Sequence, residues 1–144
     1  MGAGFSGSHI AAYLLQNGAI KVRVLDNLVK DFQHNLDLLR PYASYEFLEG
    51  DIRNEATCLQ AYRGMNYVSY QAAVGSVTCS IKEPKYFDEV NVVGFVNRLK
   101  AASNNNVRQF VYDSSSSVYG DEPSWPKLES KVSYCLSSNA STKK

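Results

Sequence analysis

Apolar and polar positions along this chain fall into short periodic stretches, each closed by a glycine, a proline or a polar cluster. A helical pattern with Ile10, Leu14 and Leu15 on one side follows the glycines at positions 2, 4 and 7, and Gly18 stops it. Residues 20–26 alternate and are β-branched, which predicts a strand ending on Asp26. A loop and a weak helix then run to Arg40, where Pro41 ends them. Residues 45–48 read as a second strand, followed by Gly50-Asp51, and residues 54–63 as a helix stopped by Gly64. A short strand over 66–70 runs into Gln71-Ala72-Ala73. Residues 85–103 carry a long helical pattern that includes Phe87, Val90, Phe95 and Leu99. The strand predicted over 107–112 leads into Ser114-Ser115-Ser116-Ser117. Beyond about residue 121 the pattern fades, and Pro123, Pro126 and the serine-rich stretch 137–142 predict loop or tail.

Strand and helix alternate, so the expected fold is α/β, with βαβ units winding a parallel sheet on both faces. No internal repeat or long linker is visible. A chain of 144 residues fits one domain. A net charge of +1 gives no reason to expect nucleic acid or an anionic membrane as partner. No apolar run approaches the roughly 18 to 20 residues a membrane helix needs. The start of the chain lacks a basic stretch followed by an apolar one, so a cytoplasmic setting is the default expectation. Cys58, Cys79 and Cys135 are odd in number and widely spaced, and His9 and His34 have no ligand spacing to them. Neither a disulfide framework nor a metal site is expected.

Gly-Ala-Gly-Phe-Ser-Gly opens a helix. Glycines let a backbone approach a pyrophosphate, and the free amides of a helix start bind it with help from the helix dipole. The bland reading of such a loop is a simple turn. Asp26 stands 19 positions after Gly7 at the end of the next strand. A carboxylate at about that spacing accepts from an adenine-ribose 2′-hydroxyl and repels the 2′-phosphate of NADP. Its bland reading is a strand-end turn residue. The two features together point to dinucleotide binding, with NAD as the expected cofactor.

From these residues onward the chain resembles the NAD-dependent epimerase/dehydratase group of extended short-chain dehydrogenases/reductases. The turn from Gly2 to His9 resembles the family's Gly-x-x-Gly-x-x-Gly, with Met1 in the first glycine's place. Val24-Leu25-Asp26-Asn27-Leu28 resembles the strand carrying the ribose acid. Glu49-Gly50-Asp51-Ile52-Arg53 resembles the segment whose Asp-Ile meets adenine. Gln71-Ala72-Ala73 resembles a His-x-Ala-Ala turn beside the cofactor, with Tyr70 where histidine is usual. Val90-Asn91-Val92-x-Gly94 and the serine run with Val118-Tyr119-Gly120-Asp121 resemble the central-helix and active-site motifs. Phe32-Gln33-His34-Asn35-Leu36, Gly75-Ser76-Val77 and Ser80-Ile81 are similar to the UDP-N-acetylglucosamine 4-epimerase branch.

The resemblance implies NAD as cofactor, held by Gly2, Gly4, Phe5 and Gly7, by Asp26 and Asn27, by Asp51 and Ile52, and by Gln71, Ala72 and Ala73. It implies a UDP-sugar substrate touched by Ser76, Asn91 and Ser116. The implied chemistry is hydride transfer at C4 of the sugar, with a tyrosine taking the hydroxyl proton and a lysine four positions later lowering that tyrosine's pKa. Ser115 takes the catalytic serine's place. Lys143 takes the lysine's, where it also holds the nicotinamide ribose. Four positions before it stands Asn139, and an amide cannot serve as this base. Tyr134 is followed four positions on by Ser138, so it lacks the lysine.

The family's first strand would precede the glycine turn, central in the order 3-2-1-4-5-6, and its substrate domain would follow Lys144. The chain therefore reads as residues 1–120 forming a partial NAD-binding Rossmann-like domain, and 121–144 leading into a truncated catalytic helix. Without the central strand, two strands lose a ladder partner, which predicts an unstable or aggregation-prone molecule. Family members form homodimers through two long helices, of which only 85–103 is complete here. Three readings stay open: a working epimerase, an NAD-binding module without turnover, and a gene remnant without activity.

Overall fold

The computed structural model describes residues 2–30 and 32–143, so the replacement of the family's first glycine by Met1 lies outside the described residues. In chain order the elements are α1 (Phe5–Gln16), β1 (Val22–Asp26), α2 (Gln33–Asp37), β2 (Tyr45–Glu49), α3 (Glu55–Tyr62) and β3 (Tyr67–Tyr70). There follow α4 (Val77–Lys82), α5 (Pro84–Asp88), a π-helical turn (Glu89–Val93), α6 (Gly94–Asn104), β4 (Gln109–Tyr112), a 3₁₀ turn (Ser116–Tyr119) and α7 (Ser138–Ser141). The architecture is α/β with parallel strands, and the four strands fall where the alternating patterns predict them.

The strands form two sheets. β1 pairs with β2 in parallel from Val22 opposite Tyr45 to Asp26 opposite Glu49. β3 pairs with β4 in parallel from Tyr67 opposite Gln109 to Tyr70 opposite Tyr112. Among the described residues no strand joins the pairs into one sheet. Each pair has its own apolar cluster. Ala3, Ala11, Leu15, Val22, Val24, Leu36 and Leu39 gather around one face of β1. Leu25, Ile52, Cys58, Ala61, Tyr62, Val68, Tyr70 and Val90 form the other cluster, with Ala101 and Ala102 of α6. Val24 and Leu25 enter different clusters because successive strand residues point to opposite faces.

The end of α1 is set by a glycine. Gly18 sits at φ +81°, and its N–H and that of Ala19 donate to Leu15 and Leu14 carbonyls at 3.3 and 3.0 Å. This double closure satisfies carbonyls the helix leaves over, and only glycine adopts that φ without strain.

Two features depart from the sequence reading. The pattern over 85–103 is not one helix, because the π turn at Glu89–Val93 separates α5 from α6. Apolar spacing does not distinguish one extra residue in a turn from a regular turn. The sequence pattern names no element between Ala73 and residue 85, where the structure has α4, and the β-branched residues of Val-Thr-Cys-Ser-Ile-Lys give little helical signal. Ser76 starts it by accepting from the Cys79 N–H at 3.2 Å.

Candidate functional site

The glycine turn, the ends of β1 and β2, the loop after β3, the π turn, the serine run after β4 and the residues after α7 carry the predicted residues. Gly4 precedes α1 in extended backbone and offers no side chain to cap it. The first amides of this twelve-residue helix are thus left to whatever lies before them. Gly7 packs directly on Gly2: a Cβ on Gly7 would stand 2.4 Å from the Gly2 carbonyl oxygen. Phe5 is exposed and lies against the His9 ring, centroids 4.5 Å apart.

Asp26, at the end of β1, is 3% exposed. The Ala3 N–H donates to its Oδ2 at 2.9 Å and the Leu28 N–H to its Oδ1 at 2.8 Å. Burial alone would raise its pKa, but the hydrogen bonds it accepts hold the carboxyl below the ordinary value. Leu28 sits at φ +52°, a left-handed conformation unusual for leucine, held by the Asp26 turn. Asn35 fixes the turn from the other side by donating from Nδ2 to the Ala3 carbonyl at 2.8 Å.

Asp51 follows β2. It accepts from the Arg53 N–H, Nε and guanidinium at 2.9, 3.0 and 2.7 Å, and from Asn27 Nδ2 at 3.1 Å. The Arg53 guanidinium, with these hydrogen bonds, pulls its pKa down to about 2. Asn27 and Asp51, from two different strand ends, are thereby joined. Ile52 is buried in the second cluster. Gln71 and Ala73 are half-buried and Ala72 is buried. Tyr70 turns inward, 5% exposed, with its ring 5.4 Å from Phe95 and the Arg98 guanidinium 4.8 Å over it. Burial pushes the Tyr70 pKa up to about 12.

Asn91 lies in the π turn and is 5% exposed. Its Oδ1 accepts from the Val74 N–H at 2.9 Å, and its Nδ2 donates to the Val74 carbonyl and to Thr142 Oγ1 at 3.0 and 3.1 Å. It thus ties the loop after β3 to the end of α7, a linking role that periodicity alone does not reveal. Ser76 is engaged as the α4 cap. Ser115 accepts from the Ser117 N–H at 3.3 Å and is 2.9 Å from Ser117 Oγ, while Ser116 is exposed. Ser114 Oγ donates to the Lys143 carbonyl at 3.0 Å, which brings the serine run after β4 against the end of α7. Lys143 is half-buried, and that burial lowers its pKa despite the opposing charge of Asp113. Asn139 is 8% exposed and its Oδ1 has no hydrogen-bond partner among the described residues.

Among the described residues no helix is long and apolar enough to cross a membrane. Residues 2–140 match the family described as the NAD dependent epimerase/dehydratase family. The chain is 35% identical over 133 residues to a UDP-glucose 4-epimerase of Klebsiella pneumoniae, covering 90% of this chain and 95% of that one. Its fold superimposes on the UDP-N-acetylglucosamine 4-epimerase of Methanobrevibacter ruminantium M1, solved with UDP-N-acetylmuramic acid. The TM-score is 0.89 at 31% identity, over 99% of this chain and 44% of that one. The dTDP-glucose 4,6-dehydratase of Streptomyces venezuelae, solved with NAD bound, gives a TM-score of 0.91 at 32% identity, over 99% of this chain and 46% of that one. The chain thus spans less than half the length of these two solved chains. On the match over residues 2–140, the chain belongs to the NAD dependent epimerase/dehydratase family.

Proposed function

We propose that this chain is an NAD-binding segment of nucleotide-sugar 4-epimerase type that binds its cofactor and does not itself complete the epimerisation. The observation carrying this reading is the joining of the glycine turn to Asp26. The Ala3 amide donates to the carboxylate, and Gly7 rests on Gly2 with no room for a Cβ. Backbone this close, ahead of an uncapped helix start, suits a pyrophosphate. Asp26 then accepts from the adenine ribose and disfavours a 2′-phosphate, so the dinucleotide is NAD rather than NADP. Asn27 and Asp51, held to each other, border the adenine with Ile52. Gln71, Ala72 and Ala73 line the far side.

When bound, NAD supplies the acceptor for a hydride from the sugar. The chain's own part is to bind and to orient. Ser115 is a hydrogen-bonding group for the reacting oxygen, and Ser116 and Ser76 border the sugar nucleotide. Lys143, its pKa lowered by burial, is suited to the nicotinamide ribose. The proton acceptor is what the chain lacks, because Asn139 presents an amide four positions before Lys143. The substrate class, a UDP-sugar, is proposed from the relatives' names and the residues shared with them.

Calorimetric titration of the folded chain with NAD tests the reading. Saturable binding is expected, weakened at least about tenfold by Asp26→Asn, with NADP binding more weakly than NAD. UDP-glucose and UDP-N-acetylglucosamine should not turn over. No binding heat from a folded sample would sink the proposal and leave the family relation without a cofactor function.

A further inference from the structure

Asp113 is the first residue after β4 and stands directly before the serine run. It is exposed, and among the described residues its carboxylate accepts no hydrogen bond and joins no ion pair. Its charge is therefore not neutralised by a neighbour. The backbone holds it beside Lys143. The next residue, Ser114, donates from Oγ to the Lys143 carbonyl at 3.0 Å. The 3₁₀ turn that follows the run packs against α7. Ser115, between these two anchors, is tied to Ser117 through its Oγ. The charge on Asp113 reaches the Lys143 ammonium, where it opposes the effect of burial. Among the described residues no other acid acts on that ammonium.

The two redox forms of the dinucleotide differ in charge at one place. The nicotinamide ring of NAD is a cation and that of NADH is neutral. An ammonium close to the ring repels the cation and leaves the neutral ring nearly unaffected, so Lys143 acting alone would favour the reduced form. A carboxylate in the same region acts with the opposite sign. Lys143 is half-buried, and charges partly shielded from water are less screened by salt than exposed ones. The balance between these two charges then decides which redox form binds better.

We propose that the Asp113 carboxylate offsets Lys143 and shifts this chain's dinucleotide preference toward the oxidised, cationic nicotinamide of NAD. The inference rests on the reading of Lys143 as the residue at the nicotinamide ribose. It adds a specificity determinant that neither the glycine turn nor Asp26 can supply, because those groups meet parts of the cofactor that are the same in both forms. Asp113 acts through its charge alone. Its side chain need not touch the ring, and a neutral residue of the same shape removes the effect.

The test is separate calorimetric titration of the full chain with NAD and with NADH, in the native protein and in three variants. The readout is the ratio of the two affinities, which a general loss of binding or of folded protein does not move. Asp113→Asn should lower the preference for NAD over NADH at least about threefold, the size expected of one charge acting across a partly aqueous site. Asp113→Glu, which keeps the charge, should stay within about twofold of the native ratio. Lys143→Met should move the ratio the other way. At about 1 M salt the difference between the native chain and Asp113→Asn should shrink, because exposed charges are then screened within a few ångströms. Equal weakening of both forms by Asp113→Asn would overturn the proposal and leave Asp113 a structural residue, with the cofactor reading intact. So would the same shift in Asp113→Glu as in Asp113→Asn. Binding of neither form by the folded native chain would overturn the cofactor reading and this inference together.

Discussion

Asp51 shows how one residue's surroundings become a measurable property of the molecule. Its carboxylate takes three hydrogen bonds from Arg53 and one from Asn27, and its pKa falls to about 2. An unfolded aspartate titrates near 3.9. The folded state therefore binds the proton less readily, and the stabilisation is fully present above about pH 4. It is lost as the pH falls from about 4 to 2. The Arg53 side chain is 40% exposed, so solvent screening limits the contribution to the order of 1 kcal/mol. Urea unfolding of the native chain and of Asp51→Asn should differ at pH 6 and converge near pH 2. A difference that stays constant across this range would show that Asp51 is not held as described. Tyr70 lies at the opposite extreme. Its hydroxyl is buried without a partner among the described residues, and burial raises its pKa to about 12. It is an aromatic wall between Phe95, Phe110 and Arg98, not a proton donor or acceptor near neutral pH.

The elements are positioned by polar side chains that the hydrophobic pattern hides. In β1, Arg23 sits at a position that reads as an outward-facing polar residue of an alternating strand. Its guanidinium instead reaches the carboxyl end of α3, donating to the carbonyls of Gln60, Ala61 and Arg63 at 3.2, 2.7 and 3.0 Å, and to Glu46 at 3.0 Å. A cation there meets the negative end of the helix dipole and satisfies carbonyls that helix geometry leaves over. Arg23→Ala is expected to cost about 2 kcal/mol, and Arg23→Lys to recover only part of it, because an ammonium lacks the planar fork. Denaturant midpoints of the three proteins check this, and an unchanged Arg23→Ala midpoint would refute it. Local chemistry made several elements legible in advance. The glycines before α1, Gly18 after it and Asp26 at a strand end are each fixed by backbone requirements within a few residues. What escaped notice depends on distant partners. Asn91 bonds Val74 and Thr142, which lie 17 and 51 positions away, and Arg23 caps a helix 37 to 40 positions on. The π turn that carries Asn91 shifts the register by one residue and leaves no compositional trace.

At the scale of the whole molecule, two half-structures meet at a seam. One contains α1, β1, α2 and β2 around its own apolar cluster, and the other contains β3, α6 and β4 around a second. Leu25 crosses the seam into the second cluster, and Arg23 crosses it to α3. No described strand bridges the two sheets, so ladder hydrogen bonds do not couple them. Cooperative unfolding needs each part to lose stability when the other opens, and here that coupling rests on a few side chains and the covalent connections. Hydrogen exchange in mild denaturant should therefore separate two groups of amides. Those of β1 and β2 should open with a different free energy from those of β3, β4 and α6. Calorimetric and van't Hoff enthalpies should disagree accordingly. A single transition with equal enthalpies would mean that side chains crossing the seam, Leu25, Leu48 and Arg23 among them, suffice to fuse the halves.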